Sequence, residues 1–285
     1  LRRWLALIVL VAVVTVGAFA ATAWITGEDQ APTPTVTAPP PLARLTIIFP
    51  EGFTIREMAD RVAAVRGIAI AKRGVTPRLT RDGYLRAVSR ALPPSRFRAD
   101  VQRDSLEGFL FPASYEFTQK TTTRELVADQ LRAFRQRFRE VDLSYARSKN
   151  LTPYDVLIIA SMIERETAVP RERRLVAAVI YNRLRNRMPL GIDATIRYGL
   201  DIPGTESLTK AALRSKSPFN TRIRPGLPPT PIANPGLASI RAAANPARGV
   251  DYLYYVRKPK SLSHYFTANE RDFLRKVCEY GYACD

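Results

Sequence analysis

Thr152-Pro-Tyr-Asp-Val-Leu-Ile-Ile-Ala-Ser-Met-Ile-Glu-Arg-Glu-Thr167 reads as a helix with a complete start signal and a chemical end. Thr152 stands at the N-cap and Pro153 at the first helical position, where its missing N–H costs nothing. Asp155 is third, within reach of the cap. Val156, Ile159, Ala160 and Ile163 recur at helical spacing and define an apolar stripe. Glu164 and Glu166 close this buried-looking segment. A carboxylate in apolar surroundings is expensive to ionise, so its pKa rises, as a general acid needs near neutral pH. Successive helical residues turn by about 100°, so the two glutamates are expected about 200° apart and unable to share one cleft. Glu166 continues the line through Ile159 and Ile163, whereas Glu164 lies toward the flank with Leu157 and Ala160. Periodicity leaves open the alternative that both are surface charges at a helix end.

Downstream, a second helix is predicted from Pro170 to about Arg187, with Leu175, Val176, Val179, Ile180 and Leu184 as its stripe, folded back on the first as an αα-hairpin. Gly191–Gly199, Ser217–Thr221 and Pro225–Pro231 read as loops, and polar loop tips are where sites usually lie. Asn234 is expected to cap a helix from Pro235 to about Ala244; strands come next at 252–256 and 263–267, then a helix near Asn269. Upstream, Leu45–Phe49 is a short strand, Glu51-Gly52 a turn, and Thr54-Ile-Arg-Glu57 a capping box opening a helix. A further helix covers about Arg81 to Ala91. The aromatic-dense stretch Glu107–Phe117 suits either an irregular loop and strand lining a groove or ordinary core. From Thr123 a long helix turns Leu126, Val127, Leu131, Phe134 and Phe138 inward; Arg132, Arg135, Arg137 and Arg139 fall mostly on other faces and read as a solvated surface. The fold class is α+β.

The chain has 285 residues, 46% of them hydrophobic, which suffices for a real core. Its net charge of +18 implies an anionic partner: nucleic acid, an acidic membrane surface or an acidic polymer such as a cell wall. Trp4–Ile25 is 22 residues without a charge, about 33 Å as a helix and enough to span a bilayer. Arg2 and Arg3 precede it and Glu28 and Asp29 come after it, which places the bulk of the protein outside the cytoplasm and argues against nucleic acid. The alternative is a cleavable signal peptide, cut after Ala20 or Ala23. The Pro- and Thr-rich stretch next to it reads as an extended tether. Cys278 and Cys284 suit either a terminal disulfide or two thiols, and with a single histidine, His264, no usual zinc set can be assembled. No metal or cofactor is expected.

Seven motifs stand in order along the chain: E-G-F-L-F-P at 107–112, A-S-M-I-E-R-E-T-A-V at 160–169, Y-N-R-L at 181–184, D-A-T-I-R-Y-G at 193–199, F-N-T at 219–221, G-L-P-P-T-P-I-A-N-P-G at 226–236 and H-Y-F at 264–266. Together they resemble the endolytic murein transglycosylases of the MltG (YceG-like) family. The resemblance implies a transmembrane anchor at 1–25, a tether at 26–43, a small LysM-like α+β subdomain at 44–100 and a mixed α+β catalytic domain at 101–285 with a catalytic helix. It implies a single-pass inner or plasma membrane enzyme that cuts nascent peptidoglycan glycan strands internally at the MurNAc-β-1,4-GlcNAc bond. It also implies proximity to the synthases (penicillin-binding proteins) that extend those strands. The family's catalytic glutamate matches the second of the E-x-E pair, Glu166. Glu107, Asp193, Asn220, Thr221 and His264 are expected around the sugar as hydrogen-bonding partners. Where the family commonly has P-D-T, this chain has Pro112-Ala-Ser114, so no acidic role is expected there. A non-catalytic wall-binding protein would leave the glutamate helix unexplained. A serine hydrolase built on Ser161 and His264 would lack the usual strand-turn-helix elbow.

Overall fold

The computed structural model describes residues 42–101 and 105–282. The elements in chain order are β1 (Leu45–Ile48), α1 (Ile55–Arg73), α2 (Arg81–Arg90), β2 (Ser114–Phe117), α3 (Thr123–Arg139), α4 (Ser144–Arg147) and α5 (Pro153–Glu166). After these come α6 (Arg173–Arg185), α7 (Asp193–Leu200), α8 (Lys210–Leu213), α9 (Leu237–Ala244), β3 (Tyr254–Arg257), β4 (His264–Thr267) and α10 (Glu270–Glu279). The architecture is mixed α+β, with two separate two-stranded antiparallel sheets, β1–β2 and β3–β4.

α5 is the axis of the molecule. Thr152, Pro153 and Asp155 occupy the expected cap positions, and the capping box closes in both directions. Burial is wider than the expected stripe: Leu157 and Met162 are as inaccessible as Val156, Ile159, Ala160 and Ile163. A helix apolar on every side is enclosed by neighbours, here by α6 and, most extensively, α9.

Residues 44–100 share sheet and core with the C-terminal remainder of the chain. β1 pairs with β2, Leu45 opposite Phe117 and Ile48 opposite Ser114. Tyr84 of α2 donates to Gln130 Oε1 of α3 at 2.7 Å, and Phe97 meets Phe109, Phe134 and Phe138 at ring separations of 5.0–5.6 Å. Within Glu107–Phe117 both readings of the sequence hold for different residues, since Phe109 and Leu110 are fully buried while β2 is a sheet edge.

Three local expectations are corrected. Gly191–Gly199 is not a loop, because α7 forms there with Ile196 buried and Asp201 in a left-handed C-cap. The helix expected from Pro170 begins as a short 3-10 turn, Pro170–Glu172, before α6. Asn234 does not cap α9; Gly236 holds that position, because the Asn234 side chain is committed elsewhere. The apolar run 4–25 lies outside the described residues, among which no helix is long and apolar enough to cross a membrane. Cys278 is disulfide-bonded.

Candidate active site

Glu166 is the last residue of α5, half-buried, and borders a cavity of about 450 Å³ shared with Glu51, Asp193, Arg197 and Arg257. Tyr255 of β3 donates its hydroxyl to Glu166 Oε2 at 3.2 Å. Burial is the main cause that lifts the Glu166 pKa to about 7, and nearby Asp193 adds to it; the Tyr255 hydroxyl, the Ala194 N–H at the start of α7 and Arg165 act in the opposite sense. A carboxyl balanced in this way can both give and take a proton near neutrality.

Glu164 borders the same cavity, which corrects the expectation that the two glutamates could not share a cleft. Glu164, Arg165 and Glu166 all line it, because the cavity wraps the end of the helix rather than one side. The two carboxylates differ in commitment instead. Glu164 accepts the Gly236 N–H at 2.9 Å and lies 3.6 Å from the Arg173 guanidinium, with its side chain only 6% exposed. It caps α9 in place of Asn234.

A second trough of about 770 Å³ adjoins the first, and Arg165, Ala194, Arg197 and Gly204 line both. Glu107 stands in its wall, 3% exposed. Its oxygens accept the Ile55 N–H at 3.1 and 3.2 Å, the Asn234 amide at 2.7 Å and the Tyr198 hydroxyl at 3.2 Å. Burial raises its pKa to about 8 despite these donors. Asn234 is the hub of this region. Its Oδ1 accepts the Leu110 N–H, and its Nδ2 reaches Phe53 O as well as Glu107. The G-L-P-P-T-P-I-A-N-P-G segment is thereby stitched to E-G-F-L-F-P.

The other expected residues are placed differently from one another. Asp193 borders the Glu166 cavity and accepts from Arg222 Nε at 2.7 Å. Asn220 and Thr221 are buried at 0% and 2% exposure, and their polar atoms serve the protein. Asn220 Nδ2 donates to Leu213 O and Ser215 O, and Thr221 Oγ1 accepts the Ile192 N–H, fixing the start of α7. His264 sits behind Tyr255, with its Nδ1 2.8 Å from Glu172 Oε2. Ser161 packs inside α5 and accepts the Ile232 N–H, with no contact to His264 that would support a serine hydrolase. The sequence reading missed Tyr255. Alternation along β3 was its only signal, since neighbouring Tyr254 instead stacks on Phe273. Among the described residues no cluster of acids, histidine or cysteine could hold a metal ion.

Fold and site thus define a mixed α+β protein with a half-buried carboxyl of raised pKa bordering a cavity lined mostly by charged residues. The chain matches the YceG-like family over residues 29–279. It is 33% identical over 259 residues to an endolytic murein transglycosylase of Streptococcus pneumoniae R6, covering 85% of this chain and 45% of that protein. The corresponding figures for one from Bacillus subtilis 168 are 31% over 216 residues, 74% and 59%. A crystal structure of a YceG-like protein from Listeria monocytogenes superposes with a TM-score of 0.66 at 26% identity, covering 81% of this chain and 75% of that one. The chain belongs to the YceG-like family. It spans about half the length of the curated relatives it matches.

Proposed function

We propose that the chain is an endolytic lytic transglycosylase that cleaves the MurNAc-β-1,4-GlcNAc bond within peptidoglycan glycan strands. The observation that carries this reading is that Glu166, its pKa lifted to about 7 chiefly by burial, faces an open cavity. Glu164 is held by Gly236 and Arg173, Asp193 by Arg222, and Glu107 by three donors. Ordinary glycosidases need a second carboxylate across the scissile bond. In a lytic transglycosylase the muramic acid supplies the nucleophile itself. Glu166 protonates the glycosidic oxygen as the bond from C1 breaks; the C6 hydroxyl oxygen then bonds to C1, and its proton passes to the Glu166 carboxylate. The product is a 1,6-anhydro ring, and Glu166 ends protonated as it began.

The two adjoining cavities would seat sugars on both sides of Glu166, as internal cleavage requires. In this reading Asp193 faces the sugar, and Asn220, Thr221 and His264 act at one remove by holding α7 and Tyr255. The apolar run at 4–25 and the tether at 26–43 would hold the enzyme on the outer face of the cell membrane, near the synthases, with residues 44–100 as a LysM-like contact to glycan. Glu166→Gln keeps shape but loses the transferable proton, so turnover on glycan strands is expected to fall by ~10²–10⁴ with the fold retained by circular dichroism. Glu164→Gln should keep most activity, since an amide oxygen still accepts the Gly236 N–H. An active Glu166→Gln enzyme beside an inactive Glu164→Gln one would reverse the assignment.

A further inference from the structure

We propose that Tyr255 is a positioning residue for Glu166, its hydroxyl holding the carboxylate that forms when Glu166 gives up its proton. The inference rests on the reading of Glu166 as acid and base given above.

Tyr255 lies in the middle of β3, opposite Phe266, with its hydroxyl 3.2 Å from Glu166 Oε2. Its ring is held from behind. The His264 ring meets it edge-on at 5.3 Å and 84°. His264 is itself fixed by Glu172, whose two oxygens accept its backbone N–H at 3.1 Å while Nδ1 lies 2.8 Å from Oε2. Arg183 of α6 fixes the strand two residues earlier by donating to Leu253 O at 2.6 Å, and reaches Leu190 O at 2.7 Å. The tyrosine therefore meets Glu166 in one orientation, built by three elements.

A hydroxyl that stays protonated can only favour the charged form of a carboxyl it donates to. Burial drives the Tyr255 pKa well above the ordinary phenol value, so it remains a donor throughout the working range. The other groups facing the pair are Asp193 and the Ala194 N–H from α7, Arg165 from α5 and Arg183 from α6. Glu51, Glu164, Arg197 and Arg257 stand around the cavity. Of these only the Ala194 N–H is also a neutral donor to Glu166, and Tyr255 is the neutral donor supplied by a side chain.

Bond cleavage needs protonated Glu166, so activity should fall as pH rises through about 7. Tyr255→Phe keeps the ring but removes the group that favours the carboxylate. The alkaline midpoint of kcat should therefore move to higher pH, and the plateau below it should drop about tenfold or more, the worth of a charge-assisted hydrogen bond. KM on soluble glycan strands should stay within about twofold. Replacement of Tyr255 by 3-fluorotyrosine, a stronger donor of nearly the same shape, should move the midpoint the other way. The test measures kcat and KM against pH for the full-length chain, the phenylalanine variant and the fluorotyrosine protein. Opposite midpoint shifts for the two replacements support the proposal. A uniform loss of rate with no shift, or shifts of the same sign, overturns it while leaving the transglycosylase reading intact. An inactive wild-type chain would instead overturn that reading.

Discussion

Glu107 and Glu166 show how two buried carboxyls of raised pKa can have opposite uses. Glu107 is saturated by Ile55, Asn234 and Tyr198, and joins the start of α1 to α7 and the 226–236 segment. Glu166 has the Tyr255 hydroxyl and the Ala194 N–H beside it and otherwise faces open space. The raised pKa of Glu107 should be visible in stability. The folded state keeps the Glu107 proton up to about pH 8, whereas an unfolded glutamate releases it near 4.5. Between those values the folded state binds more protons, so stability is complete below pH 4.5 and falls as pH rises toward 8, by on the order of a few kcal/mol. Glu107→Gln, a neutral mimic of the protonated acid, should flatten that decline in urea unfolding measured from pH 4.5 to 8.5. An equally steep decline in the variant would assign the pH dependence to other groups.

At the scale of elements, the start of α9 shows which parts of the site were legible in the sequence. Asn234 before a helical run looks like a cap, yet its side chain bonds Leu110, Phe53 and Glu107, partners up to 181 residues away in sequence. Local patterns cannot register such a contact, and the cap is supplied from α5 by Glu164. Asn234→Ala would leave the buried Leu110 N–H without its acceptor and Glu107 short of a donor. The expected loss is on the order of 3 kcal/mol in chemical unfolding, since each orphaned buried group costs ~1–3 kcal/mol; a change under ~1 kcal/mol would remove its role as hub. What local patterns did carry is plain in α1, α3 and α5, each opened by a capping box whose two residues lie only three apart in sequence. Glu166 stands out as a candidate in sequence by its helical phase and by its place in the family motif, both local to the helix that carries it. α7 was not legible, because Gly191 just before it and Gly199 inside it disguise a helix of eight residues as a loop. The Tyr255–Glu166 pair was not legible either, since 89 residues separate its members.

Across the described residues, α5 and α9 form the packed centre, and the site lies where the end of α5 meets α7 and the β3–β4 hairpin. Arg165 and Arg197 line both cavities, and the net charge of +18 fits the acidic glycan polymer proposed as substrate. In the proposed reaction one carboxyl and the substrate's own C6 hydroxyl suffice for cleavage. Mass spectrometry of the fragments released from peptidoglycan glycan strands by the purified chain tests it most directly. The account predicts new ends that are 1,6-anhydro-muramic acid, generated within strands and absent with Glu166→Gln; reducing muramic acid ends carrying oxygen from labelled water would contradict it.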